Sequence, residues 1–526
     1  LAGHGGYRSA SRVVCDRDVQ IVARLRVFRL NASRGAAAPG AGPPAKATEA
    51  SIAAAGVVAV GGPTRPGVRT VGRPGVRGYA LTVGSGIRFE SARGQRGAFA
   101  LLLCCVACGP GGGPPEPPPV NVVLIVIDTL RRDHLSAYGY ERETSPALDR
   151  LAAEAVRYDA AISQAPWTTP SIGALMTSRY PTALGIRGER NALSDELELL
   201  PEALAGAGYH TAGVISHSFL GSDWNFDQGF EVFDEEHVLG HAAVTSEGVT
   251  EVATRLAGQL AAEAEPFFLF VHYFDPHAAY VEHEASAFGG AGDYAGEVKS
   301  GLLFKELRGM TERVDGEDLR EIRRLYDSEI RFTDGHIGRL LEQLREGGAW
   351  DDTLVIVTAD HGEEFLDHGQ FGHAKSLYEE LVGVPLLIKA PARLGVTPGV
   401  VTEPVALVDL YPTILEVTGV SGPDDLEGEP LLPVAPSGRP IFTETGRGGR
   451  GFAVVDGGLK LIVQRDGSCE LYDLRADHAE QTDLAESRPD DVQRLGALVE
   501  EWREIQRGKV KGGAKVELDR ERSKRI

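Results

Sequence analysis

Two unbroken apolar runs, far apart in the chain, each lead to an aspartate, and this repetition limits the folds open to the sequence. Leu354-Val355-Ile356-Val357 is short, β-branched and free of polar alternation, as expected of a parallel strand buried on both faces. Asp360, His361 and Gly362 fall just past its carboxyl end, with Gly362 expected to let the backbone turn. Val122-Val123-Leu124-Ile125-Val126-Ile127 is a second such run and ends in Asp128. Open α/β sheets place ligand sites beyond the carboxyl ends of their strands, so the two runs would bring distant carboxylates to one sheet edge. A carboxylate beside an imidazole there suits a divalent metal, because both present lone pairs to one ion. A capped loop is the plainer reading of an Asp-His-Gly turn taken alone. The second such turn, Asp367-His368-Gly369, lies further along the loop and does not leave the strand directly.

The remaining pattern is α/β, a mostly parallel, doubly wound sheet flanked by helices. Pro146 starts a helix that packs Leu148, Leu151, Ala152 and Ala155. In Trp167-Thr168-Thr169-Pro170, Pro170 fits a first helical position, which sets Thr168 and Thr169 at a helix N-terminus where unpaired N–H groups favour an anion. A hydroxyl there can attack a phosphoryl or sulfuryl group, or can simply cap the helix. The run from 266 to 277 reads as strand then turn. His272, inside the run, is expected to be a hydrogen-bonded core residue, and His277, after Asp275-Pro276, is the site candidate. Residues 318 to 346 have the apolar spacing of one or two amphipathic helices. Strand-like segments at 440–442, 452–455 and 460–463, then a helix over 490–503, predict a small C-terminal antiparallel-sheet subdomain.

Charge divides the chain. The formal net charge is -21, yet residues 1–107 are basic and the rest strongly acidic. An acidic body argues against a nucleic-acid footprint, since phosphate backbones are repelled except at a local basic patch, but admits a small anionic ester as substrate where a metal supplies local positive charge. Residues 1 to about 90 lack a sustained period and read as an unstructured extension. Arg93 and Arg96 precede a short apolar run ending at Val106-Ala107-Cys108-Gly109, the pattern of a signal peptide with lipidation at Cys108. The expectation is an exported bacterial protein, periplasmic or membrane-anchored, touching the membrane only through that lipid. The expected organisation is thus 1–107 extension and signal peptide, 108–120 Pro/Gly linker, 121–435 catalytic domain, 436–506 C-terminal α+β subdomain and 507–526 charged tail. Of the five cysteines only Cys469 lies well inside the body, which excludes a disulfide framework there.

Together these segments resemble the sulfatase family of the alkaline-phosphatase superfamily, over about residues 121 to 480. NVVLIVIDTLRRDHLSAYGY at 121–140 looks like its first strand and metal-binding aspartate. TTPSIGALMTSRYP at 168–181 is similar to its nucleophile signature, and TADHGEEFLDHGQFGHAKSLYEE to its second metal motif and substrate lysine. CELYDL at 469–474 is similar to its closing motif. The resemblance implies an alkaline-phosphatase-like fold, Asp128, Asp360, His361 and Thr168 as metal ligands, and Thr168 as nucleophile. It further implies His277 and Lys375 as contacts to the non-bridging substrate oxygens. His373 could bind substrate, protonate a leaving oxygen or order its loop.

The sequence also departs from that family. Sulfatases convert a Cys or Ser at the nucleophile position into formylglycine, and Thr168 cannot form this aldehyde. The signature arginine is Ile172, the second aspartate after Asp128 is Thr129, and His361 stands where calcium sulfatases often have Asn. Fewer carboxylates and an imidazole favour one manganese or zinc ion, with calcium as the alternative. Asp275, His277 and His373 are the candidates for a second metal, which the spacing does not support. The expected activity is hydrolysis of phosphate mono- or diesters or phosphonates, or head-group transfer, through Thr168. A sulfatase without formylglycine and an inactive anion-binding protein are the alternatives. The joint presence of Asp128, Asp360, His361 and Lys375 argues against the last.

Overall fold

The structure is a computed structural model that describes residues 119–517 except 241–242, 289–293, 434–435, 447–450 and 514, together with the backbone of Val13–Val14. The expected signal peptide, Cys108 and most of the linker lie outside the described residues. Among those described, no helix is long and apolar enough to cross a membrane.

Nine strands form the central sheet. They are β1 (Asn121–Ile127), β2 (Val156–Ile162), β3 (His210–Val214), β4 (Val232–Asp234), β5 (Phe267–Tyr273), β6 (Thr353–Ala359), β7 (Gly383–Lys389), β8 (Gly399–Val401) and β9 (Val405–Ala406). Their order is β8-β2-β7-β6-β1-β5-β3-β4, with β9 also on β2. Only β7 runs against its neighbours β2 and β6. The two apolar runs are adjacent and parallel, pairing Ile127 with Ala359, so their carboxyl ends stop at the same level. Every residue of β5 and β6, and all but the first of β1, is buried, as the absence of polar alternation predicts.

The helices differ from the expectation in detail. The 318–346 pattern is one helix, Gly316–Glu346, whose N-terminus is capped by Asp315 through the N–H groups of Glu317 and Asp318. The helix Thr168–Thr177 starts two residues before Pro170, so Thr168 is its first residue, and all ten of its residues are buried. Such a helix has no solvent face and lies wholly within the core.

A four-stranded antiparallel sheet follows: β10 (Ile441–Glu444), β11 (Phe452–Asp456), β12 (Leu459–Val463) and β13 (Ser468–Asp473). The last strand, absent from the sequence reading, spans most of the expected closing motif. Val13–Val14 pairs with Cys469 and Ser468 at its edge. Cys469 is disulfide-bonded, and all other cysteines lie outside the described residues. The terminal helix runs over Pro489–Gly508, longer than predicted. The segment beyond it, expected as a charged tail, hydrogen-bonds from Lys511 N to Ala183 O (2.7 Å) and from Val516 N to Arg190 O (2.9 Å).

The two parts are tied through buried charge. Lys460 on β12 is fully buried with its Nζ 3.0 Å from both Glu379 and Glu480, and Glu379 also pairs with Arg132 beyond β1. Removing one member of such a buried set leaves uncompensated charge. We expect Lys460→Met to lower unfolding free energy by about 3–5 kcal/mol in denaturant titration, although Met matches the stem's volume.

Nearby, His368 Nδ1 donates to Glu380 (2.8 Å), and the ring stacks on Tyr378 at 3.6 Å. Burial alone would lower its pKa, but the hydrogen bond and charge of Glu380 outweigh this and raise it to about 9. A raised folded pKa gives stability that is complete below the ordinary histidine value of about 6.5 and is lost as pH climbs through the folded value. The melting-temperature gap between wild type and His368→Gln should therefore narrow from about pH 6 to about pH 9.5. A constant gap would show that the ion pair contributes nothing.

Candidate active site

Asp128, Asp360 and His361 converge at the shared carboxyl end of β1 and β6, all fully buried, with one ligand atom of each within 4.8 Å of the others. His361 Nε2 is 3.4 Å from Asp360 Oδ2, 3.7 Å from Asp128 Oδ1 and 3.4 Å from Thr168 Oγ1. Thr168 arrives here because its helix is tied to the end of β6: Ser171 Oγ donates to Asp360 O at 2.6 Å. First-turn N–H groups of a helix lack intrahelical acceptors and attract negative charge.

Gly362 is required for packing rather than for turning. Its φ is not in the left-handed region, and a Cβ there would fall 2.1 Å from Glu380 O. The strained residue is Thr129, a β-branched side chain at φ 52°. Its N–H donates to Asp360 Oδ1 (3.3 Å), and its carbonyl accepts from Tyr326 Oη (2.7 Å). Strain thus sits where the two metal-motif strands are joined, held by contacts on both sides of the residue.

The electrostatics fit a cation. Neither oxygen of Asp128 and not Oδ2 of Asp360 has a hydrogen-bond partner. Burial, then the charges of Asp360 and Glu363, raise the pKa of Asp128, and burial likewise raises that of Asp360. Two adjacent buried carboxylates are costly unless protonated or neutralised. The imidazoles do not neutralise them: burial lowers the pKa of His361 well below the ordinary value and that of His272 to about 3. A neutral imidazole is, however, the form that binds metals. His361 Nδ1 donates to Gly362 O at 2.9 Å, which leaves the Nε2 lone pair facing the carboxylates and Thr168. The residues present therefore fit one divalent ion held by Asp128, Asp360, His361 and Thr168.

The other candidates divide. His277 and His373 stand beside the cluster, their rings 5.1 Å apart, with the His373 ring 4.6 Å from that of His361. His277 Nδ1 donates to Ala278 O (2.9 Å), and His373 Nδ1 pairs with Glu363 Oε1 (2.9 Å), whose other oxygen accepts from Tyr280 (3.1 Å). Lys375 is exposed and makes no hydrogen bond or ion pair with the cluster; it lines a neighbouring cleft. Asp275 is excluded as a second-metal ligand. Its carboxylate caps the helix Ser246–Leu260, taking the N–H groups of Thr245 (3.0 Å) and Ser246 (2.8 Å). Asp367 in the second Asp-His-Gly is occupied by Arg131 (2.8 Å) and Arg323 (3.2 Å).

Sequence reasoning misjudged His272 and missed His217. His272 is fully buried, but neither ring nitrogen is hydrogen-bonded, and Nε2 is 3.7 Å from Asp128 Oδ2. It was expected to be hydrogen-bonded because a buried imidazole normally is; instead it faces the unpartnered carboxylate. His217 Nε2 is 3.9 Å from the same oxygen, and its Nδ1 accepts the N–H of Phe219 at 3.0 Å. An accepting Nδ1 puts the proton of neutral His217 on Nε2, directed at Asp128. Asp128 thus turns Oδ1 to His361 and Oδ2 to two imidazoles. The only sequence signal for His217 was its place just after the strand His210–Val214.

A model of the Sulfatase family matches residues 120–420, more than half of the chain. The chain belongs to the sulfatase family. Sulfatases are ester hydrolases that use a divalent metal, in accord with the Asp128, Asp360 and His361 cluster. Among curated sulfatases, the uncharacterised sulfatase YidJ of Escherichia coli K12 is 26% identical over 420 residues, covering 69% of this chain and 82% of that one. Two solved structures share the fold. BT4656, in complex with its substrate D-glucosamine-2-N,6-O-disulfate, has a TM-score of 0.62 at 20% identity, over 74% of this chain and 98% of that one. The phosphonate monoester hydrolase of Agrobacterium radiobacter has a TM-score of 0.58 at 20% identity, over 74% and 96%.

If His217 Nε2–H steadies the metal-binding carboxylate, His217→Phe should weaken metal affinity about 10- to 100-fold, the usual scale for such outer partners. His217→Gln, which keeps an N–H donor, should recover part of the loss. Chelator competition on the full chain reads this directly, and equal losses in both variants would mean that only packing is at stake.

Proposed function

We propose that this sulfatase-family hydrolase acts on phosphate mono- or diesters or phosphonates, with Thr168 Oγ1 as nucleophile and one manganese or zinc ion held by Asp128, Thr168, Asp360 and His361. The observation that carries this reading is the placement of a buried Thr hydroxyl 3.4 Å from His361 Nε2, at the first residue of a helix and against two uncompensated carboxylates. When bound, the metal supplies the positive charge that makes the hydroxyl a usable nucleophile and offsets the charge of the transferred group.

The chain's own residues do the rest. The helix N-terminus beginning at Thr168 offers N–H groups to the anionic oxygens. His277 and His373, their Nδ1 atoms held by Ala278 and Glu363, stand beside the cluster as contacts to the substrate oxygens. In the transfer step a bond forms between Thr168 Oγ1 and phosphorus as the bond from phosphorus to the leaving oxygen breaks. The hydroxyl proton passes to solvent and the leaving oxygen takes one. Water then cleaves the phospho-Thr168 ester, restoring the hydroxyl and releasing the phosphate or phosphonate. Phosphorus is favoured over sulfur because Thr168 carries a methyl group where formylglycine formation needs an unbranched carbon.

A panel of nitrophenyl phosphate, phosphate diester, phosphonate and sulfate, each with manganese, zinc or calcium, tests the reading. Turnover of the phosphorus esters should fall by about 10³-fold or more in Thr168→Ala. Quenched wild type should carry one phosphoryl group on the peptide containing Thr168. Predominant sulfate turnover, or an adduct elsewhere, would overturn the assignment.

A further inference from the structure

The helix that begins at Thr168 is held at its first turn by two distant parts of the chain. One hold is the bond from Ser171 Oγ to Asp360 O, at the end of β6. A single bond fixes a point and leaves the helix free to pivot about it. The second hold comes from the C-terminal sheet. Trp167, the residue before Thr168, donates its indole Nε1–H to Thr445 O at 3.1 Å, across 278 positions of sequence. Its side chain is among the largest that the fold buries completely.

Trp167 occupies the N-cap position, where a Ser, Thr, Asp or Asn side chain would ordinarily accept from the helix's own N–H groups. An indole is a donor only and cannot do so. Its bond is directed outward instead, to the residue that follows β10. Thr445 is itself fixed, giving its N–H to Gly451 O (3.2 Å) and accepting the N–H of Gly451 on Oγ1 (3.0 Å). Glu444, the last residue of β10, reaches both flanks of the same helix. Its N–H donates to Gln164 O (3.0 Å), upstream of Thr168. Its buried carboxylate accepts the N–H (2.6 Å) and the hydroxyl of Thr182, downstream of Thr177. Filling the space would require neither an indole N–H nor a carboxylate, since an apolar ring and an apolar chain pack as well. What the polar atoms add is direction, because hydrogen bonds weaken steeply off axis.

We propose that Trp167 and Glu444 are positioning residues for ester cleavage: through them the C-terminal sheet sets the angle at which the helix presents Thr168 Oγ1 to the metal site. The proposal rests on the hydrolase reading for the role of Thr168. A displacement of about 1 Å at a reacting atom can cost about 10²-fold in rate, so loosening this hold reaches the chemistry without touching it.

The test uses the full chain, loaded with manganese or zinc for kinetics and with cobalt(II) for visible absorption, each variant held well below its own melting temperature. Trp167→Phe keeps a ring and removes the donor. It should lower kcat for the nitrophenyl ester that the wild type cleaves by about tenfold or more, with KM within about twofold. Glu444→Leu should act alike. Glu444→Gln, whose amide accepts from the Thr182 N–H and donates to its hydroxyl, should stay within about threefold of wild type. The cobalt absorption of Trp167→Phe and Glu444→Leu should move toward that of Thr168→Ala. If Glu444→Leu does not fold, Trp167→Phe decides alone. Spectra that respond in this way with no ester cleaved would sink the hydrolase reading and keep the positioning role. Thr168-dependent cleavage that Trp167→Phe leaves intact would do the reverse. A loss confined to KM, equal losses in Glu444→Gln and Glu444→Leu, or turnover and absorption that both ignore Thr168 would each overturn the proposal.

Discussion

The interaction on which the rest depends is the repulsion between two carboxylates, Asp128 and Asp360, buried together at one edge of a parallel sheet. Both carboxylates are fully buried, burial lowers the pKa of His361 and of His272, and three of the four carboxylate oxygens have no hydrogen-bond partner. Such an arrangement is unfavourable for a protein alone and favourable for a protein that holds a cation. The parallel pairing of β1 with β6 enforces it, because Ile127 and Ala359 are directly paired and both strands stop together.

Around that charge, backbone groups decide what each histidine can do. A carbonyl at Gly362 frees the Nε2 lone pair of His361, whereas an N–H at Phe219 places a proton on Nε2 of His217. Two imidazoles near Asp128 thus present opposite faces, His361 a lone pair 3.7 Å from Oδ1 and His217 its Nε2 3.9 Å from Oδ2, though their side chains are identical. Glu363 and the Ala278 carbonyl fix His373 and His277 in the same way. The site is organised by the second layer as much as by its ligands.

The C-terminal sheet contributes to the same region from far along the sequence. Lys460 locks it to Glu379, which in turn meets Arg132 just beyond β1. That chain of buried charge sets the β12–β13 turn opposite Lys375, across the cleft that both line.

The sequence by itself determined the buried strands of the sheet and the aspartate that follows each of the two. Short, fully apolar β-branched runs read as buried strands, and an aspartate at the end of each then falls at the sheet's carboxyl edge. Family resemblance added Thr168 to the cluster, and the structure brings its hydroxyl to His361. Tertiary structure alone decided the rest, because hydrogen-bond partners come from residues remote in sequence. Asp275 and His272 were indistinguishable from ligand and core by local pattern, yet one caps the helix beginning at Ser246 while the other faces Asp128. Likewise the two Asp-His-Gly turns are alike in composition, and only Arg131 and Arg323, folded against Asp367, make one of them structural.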